Sequence, residues 1–138
     1  MRGAWKEDAH GRRERMRVAP AAPLHEMEGI AGVNFLVAPL KDRLIHQLSK
    51  LGVTNWSRRA AHVYMLAAGG HLHFLFDKRL MPWDHAAGWL LHRETSGVSA
   101  HFDGTGYAPW HTSGGLLCAP DAGAWRRIRE TLLGPLPT

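Results

Sequence analysis

From residue 29 to residue 133 the sequence alternates short apolar runs with longer segments whose apolar residues recur every three or four positions. Each such element has one face that must be covered, so the alternation restricts the chain to an α/β lobe, a sheet layered with helices. The apolar runs are Gly29 to Val37, Val53 to Trp56, His71 to Phe76, Val98 to Phe102 and Leu116 to Ala119. Glycines weaken the first as a strand. Near the start, Met16 and Val18 alternate with arginines from Glu14 onward, as in a strand with one buried face.

The helical segments carry their own punctuation. After Pro39, Leu40, Leu44, Ile45, Leu48 and Leu51 share one face and Gly52 ends the helix. Ser57 is placed to cap the next, which closes at Gly69 and Gly70. Asp121 is a good N-cap for a final helix running to Leu133, with Trp125, Ile128, Leu132 and Leu133 on its apolar face.

Between these lies LMPWDHAAGWLLHRETSG, Leu80 to Gly97. Pro82 suits a helix start, Ala86, Ala87, Leu90 and Leu91 recur at helical spacing as an expected buried face, and Gly97 suits the stop. Asp84, in the first turn, has two roles open to it. Its carboxylate can accept from the orphan backbone N–H groups of the helix start, or it can serve as a metal ligand.

Composition narrows the setting. With 138 residues, the chain has the length of one ordinary domain. Its 45% hydrophobic content is enough for a core. No apolar run approaches the roughly 20 residues that cross a bilayer, and the charged N-terminus lacks a signal-peptide core. The expectation is a soluble cytoplasmic protein without a membrane partner. Cys118, the sole cysteine, lies in an apolar run and reads as a small packed hydrophobe rather than a nucleophile. The net charge of +5 is scattered and lacks aromatic platforms, which argues against nucleic acid, while its sign agrees with an anionic phosphate substrate. His71 and His73 alternate with Leu72 and could ligate zinc if His85 joined them, but no cysteine is near to complete a tetrahedral site.

The order of several motifs carries more. Trp83-Asp84, Ala87-Gly88, Arg93-Glu94, Gly97, Phe102-Asp103-Gly104, Gly114-Gly115-Leu116-Leu117 and Ala119-Pro120 follow one another. This series resembles the C-terminal lobe of the inositol monophosphatase family, metal-dependent phosphatases with a late W-D-x-x-A-G signature. Thr95-Ser96-Gly97 stands where A-G-G is common. The resemblance implies a central mixed sheet covered by helices, the C-terminal half of an inositol-monophosphatase-like sugar phosphatase fold, over residues 1–138. It implies Asp84 as a ligand to Mg2+. It also implies Ala60 as a small residue bordering substrate, Asp77 as a contact to substrate hydroxyls, and Arg59 as a departure whose guanidinium could bind phosphate.

The family's first-half glutamate and D-P-x-D-G-T segment have no match; the one Asp-Gly-Thr, at Asp103, falls after the signature, where the family has an ordinary turn. One aspartate cannot hold Mg2+ alone, so little activity is expected without a separately supplied N-terminal half. The implied partners are a phosphorylated small molecule and either a second copy or that other half. Inositol phosphate leads as substrate, with a 3′(2′),5′-bisphosphate nucleotide or histidinol phosphate as alternatives. A non-catalytic interaction module keeping the lobe fold is the competing reading.

Overall fold

In the computed structural model, which describes residues 2–33, 36–55, 57 and 59–136, a short central strand divides the interior in two. The side chains of β5 (Phe74–Asp77) alternate between faces. Phe74 and Phe76 join a core with Met27, Leu44, Trp125 and Ile128, whereas Leu75 joins one with Val63, Tyr64, Leu80 and Tyr107. Strand β7 (Leu116–Ala119) repeats the pattern: Leu117 and Ala119 enter the first core, Leu116 and Cys118 the second. Burying each phenylalanine contributes about 1.5–3 kcal/mol.

The five-stranded sheet has the order β4-β3-β5-β7-β6, with β3 (Glu28–Gly32), β4 (Val53–Asn55) and β6 (Val98–Ala100) completing it. β3 runs parallel to β4 and β5, while β7 runs antiparallel to β5 and β6. Helices α1 (Leu40–Leu48) and α4 (Ala122–Leu133) cover the first core; α2 (Ala60–Ala68) and α3 (Pro82–Glu94) cover the second. A mixed sheet covered by helices is therefore what the chain forms. Asp121 caps α4 as expected, its carboxylate accepting the Ala124 N–H at 2.7 Å.

Several elements differ from expectation for identifiable reasons. The run from Gly29 ends as strand at Gly32, and Asn34, Phe35 and Trp56 lie outside the described residues. Residues around Met16 form no half-buried strand. β1 (Trp5–Glu7) and β2 (Arg13–Arg15) instead make an exposed hairpin, with the Arg13 and Arg15 guanidinium carbons 5.7 and 5.9 Å from the Trp5 ring centre. The Glu94 carboxylate fastens it to α3 by accepting the Arg2 and Gly3 N–H groups. His71 and His73 do not share a strand face. His73 ties β3 before β5 begins, donating its N–H to the Glu28 carbonyl and accepting the Glu28 N–H on Nδ1. Ser57 does not cap α2, whose N-cap is Arg59.

The largest correction concerns α3. Its buried residues are His85 and His92, while Ala87 and Leu90 are exposed. Gly88 lies on the buried side, where a Cβ would come within 2.2 Å of the Tyr64 ring, so α2 and α3 approach closely. After the helix, Ser96 takes the left-handed conformation (φ 74°) expected of Gly97. Gly97 is needed for a different reason, because a Cβ there would meet the His92 ring at 2.1 Å.

His92 is wholly enclosed, and its Nδ1 has no hydrogen-bond partner among the described residues. Burial pushes its pKa down to about 4. The unfolded chain takes up a proton there below about pH 6.5, which the folded chain refuses until about 4. Stability from this group is thus complete above pH 6.5 and falls as the pH drops toward 4, by up to about 3 kcal/mol. Replacing His92→Leu should flatten the acid limb of the urea midpoint between pH 7 and 4.5; an unchanged limb would exclude His92 as its source.

Candidate functional site

A cleft of about 610 Å³ opens at the carboxyl ends of the parallel strands β3 and β5, where ligands of open α/β sheets commonly bind. Gly32 and Asp77, paired in register, form its strand edge, and the first turns of α2 and α3 form its other sides. The absence of a side chain at Gly32 matters: a Cβ would stand 2.9 Å from Asp77 Oδ1. The floor is apolar, from Ile30, Val63, Leu75 and Leu116.

Asp77 ends β5, with Oδ1 accepting the Arg79 N–H at 3.2 Å and Oδ2 3.7 Å from His85 Nε2. Its pKa is raised, chiefly by burial and also by the nearby Asp84 charge, against the lowering influence of His85 and the Arg79 N–H. His85 Nδ1 is 2.9 Å from the Tyr64 hydroxyl. Burial drives the Tyr64 pKa well above its ordinary value, so the phenol keeps its hydrogen. The neutral phenol and His85 Nδ1 share this hydrogen bond, and His85 Nε2 faces Asp77. Behind them, burial pushes the Cys118 thiol up to about 12, and it is no nucleophile.

Asp84, Asp77 and Ala60 line this one cleft. Arg59 does not line it; exposed at the start of α2, it donates its backbone N–H to Ser57 Oγ. Arg58 is outside the described residues. Asp84 is exposed in the first turn of α3, which begins without a side-chain cap. Sequence reasoning missed Tyr64, and gave Ser57 only as a helix cap and His85 only as a possible third zinc ligand. The three-residue step from His85 to Gly88 was the available signal for a buried face, hidden because apolar periodicity counts neither histidine nor glycine.

The carboxylates suit hydroxyl recognition, since each offers up to four acceptor positions. They do not by themselves suit a magnesium site. Among the described residues, no group of three or more His, Cys, Asp or Glu is placed to hold a metal ion, and one exposed aspartate is a poor cage for a cation that demands octahedral oxygen. No helix among the described residues is long and apolar enough to cross a membrane.

The model of the inositol monophosphatase family matches residues 3–136. Among solved structures, inositol monophosphatase II of Staphylococcus aureus superposes with a TM-score of 0.75 at 18% identity, covering 94% of this chain and 50% of that one. The staphylococcal enzyme has been crystallised with inositol monophosphate and with 2′-AMP. The Thermotoga maritima enzyme gives 0.70 at 22% identity, covering 86% and 45%, and that of Anabaena gives 0.72 at 18%, covering 96% and 55%. The chain spans about half the length of these relatives. No curated protein matches.

The Tyr64–His85 bond supports the cleft wall. Tyr64→Phe should leave a buried ring nitrogen of His85 without its partner and lower stability by about 1–3 kcal/mol in urea unfolding; a loss below about 0.5 kcal/mol would mean the hydroxyl is dispensable.

Proposed function

Since the chain belongs to the inositol monophosphatase family, we propose that it serves as the C-terminal lobe of a magnesium-dependent phosphate monoester hydrolase. Family members generally use Mg2+ and bind phosphorylated substrates. The observation that carries the reading is the convergence of Asp84, Asp77 and Ala60 on one cleft, with no further acidic cluster to complete a metal site among the described residues. Asp84 is the proposed metal ligand, and the remaining carboxylates come from a complementary lobe. Asp77 accepts hydrogen bonds from substrate hydroxyls, and its raised pKa reflects a partly desolvated carboxyl that such donors would satisfy. Ala60 keeps the start of α2 open to the substrate, and the exposed Arg59 attracts its phosphate as the ester approaches. Inositol phosphate is the leading substrate, and a bisphosphorylated nucleotide the alternative.

An apolar stripe supports the complementary lobe. Trp83, Ala87 and Leu90 recur at i, i+4 and i+7 on the outer side of α3, with Trp83 80% and Leu90 44% exposed. Met65 of the adjoining α2 is 58% exposed. A stripe of this kind marks an interaction surface rather than solvent, for the second lobe or for a homodimer partner. It equally favours the second reading, a non-catalytic interaction module on the same fold. A single cysteine, the buried Cys118, suits a reducing cytoplasmic setting.

Phosphate release from inositol monophosphate in the presence of Mg2+ tests the reading. The chain alone should give little or none. Joined to a lobe that brings the missing carboxylates, it should turn over, and Asp84→Asn should cut the rate on the order of 10²–10³-fold. Turnover by the isolated chain that Asp84→Asn abolishes would overturn the need for a second lobe; restored turnover indifferent to Asp84→Asn would overturn the assignment of Asp84.

A further inference from the structure

His85 is a polar side chain of the cleft that the proposed chemistry leaves unused. It is 4% exposed, yet it lines the cleft beside Asp77 and Asp84. Burying a ring with two polar nitrogens is costly unless both find partners. Nδ1 has the Tyr64 hydroxyl at 2.9 Å, and the two rings meet edge to face with centres 5.8 Å apart. Nε2 faces Asp77 Oδ2 at 3.7 Å. That separation is too long for a hydrogen bond, and polar atoms so spaced are commonly joined through an oxygen lying between them.

The two atoms therefore make a pair of attachment points on one wall of the cleft. Oδ1 of Asp77 accepts the Arg79 N–H, and Oδ2 lies on the His85 side. An ionised carboxylate only accepts, so it takes the hydrogen of a hydroxyl. His85 Nε2 bonds a hydroxyl in either ring tautomer, as donor when it carries hydrogen and as acceptor when it does not, because a hydroxyl does both. Hydroxyls on two neighbouring carbons satisfy both atoms whatever the state of the ring. A lone hydroxyl has a single hydrogen to give. Beneath the pair, the floor of Ile30, Val63, Leu75 and Leu116 offers an apolar surface to the C–H face of a saturated ring.

We propose that His85 is a specificity-determining residue of the cleft, which with Asp77 clasps two neighbouring free hydroxyls on the alcohol part of the substrate. This clasp rests on the reading of Asp77 as the contact to substrate hydroxyls and adds the second contact. Tyr64 is its positioning residue, since the bond to Nδ1 fixes the ring with Nε2 on the Asp77 side. Gly32 keeps the Asp77 side open, because a Cβ there would stand 2.9 Å from Oδ1.

The clasp separates the candidate substrates by their chemistry. A phosphorylated cyclitol or sugar keeps neighbouring free hydroxyls beside its ester. In a 3′(2′),5′-bisphosphate nucleotide, one member of the ribose pair is esterified. Histidinol phosphate has no free hydroxyl. Only the polyol phosphates can engage both Asp77 and His85 in this way.

NMR titration of the full chain, without phosphate or Mg2+, tests the clasp apart from any metal chemistry. The probes are myo-inositol, cis-1,2-cyclohexanediol and 1,4-cyclohexanediol, the last two being isomers that differ in whether their hydroxyls are neighbours. The His85 ring and Asp77 carboxyl signals should move together on adding myo-inositol or the 1,2-diol. The 1,2-diol should bind about fivefold more tightly than the 1,4-isomer, the gain expected of one added hydrogen bond. His85→Leu should abolish that preference. Movement of Asp77 with His85 unmoved would overturn the clasp and leave the reading of Asp77 standing, as would equal affinity for the two diols. Silence at both residues up to the solubility of myo-inositol would overturn the clasp and the reading of Asp77 together. These outcomes are read on the unsubstituted chain and hold even if the variant fails to fold.

Discussion

Gly88 lies against the ring of Tyr64, and much of the structure follows from that one close approach. A methyl group there would penetrate the ring, so α3 reaches its distance from α2 only because this position has no side chain. At that distance His85, three residues earlier on the same face, meets the Tyr64 hydroxyl. Its far nitrogen is thereby aimed at Asp77 on the central strand. Asp84, one residue before His85, is carried to the cleft mouth by the same seating. The second core and the candidate site thus share a single geometric cause.

What was legible in the sequence was local. Asp121 and the helix after it were readable because a side-chain cap acts within three residues. Leu116 to Ala119 was readable because a strand buried on both faces is a continuous apolar run. The inner face of α3 was not. Hydrophobic periodicity assigned burial to Ala86, Ala87, Leu90 and Leu91, but the residues turned inward are His85, Gly88, His92 and Thr95. A histidine is buried when a partner elsewhere satisfies it, and Tyr64 lies 21 residues away from His85. Of the candidate residues, Asp84, Asp77 and Ala60 line one cleft because they stand at the ends of α3, β5 and α2 that border it; Arg59 falls outside because the turn before α2 leaves it in solvent.

The three buried histidines show how one residue type serves opposite ends. Among the described residues His92 has no partner at Nδ1, and burial holds it neutral, so its enclosure makes the fold sensitive to acid. His85 is satisfied at Nδ1 by a phenol and directs its other nitrogen toward a carboxylate. His101 meets the Gly115 carbonyl at Nδ1 and the His111 ring at Nε2. The burial of all three is similar. What each ring nitrogen meets differs from one to the next, and no sequence pattern encodes it.

The stripe of Trp83, Ala87 and Leu90 stands apart from both cores. Each core is closed by its own helix pair, and none of these three residues contributes to either. The sheet and its two covers accordingly need nothing at the stripe in order to pack. The cleft differs, since it offers Asp84 to solvent at the end of the same helix, on an edge where ligand oxygens are scarce. Folding and chemistry therefore place different demands on a neighbour. A surface that covers the stripe would add no core, yet it would lie one helical turn from Asp84, where further carboxylates would have to enter.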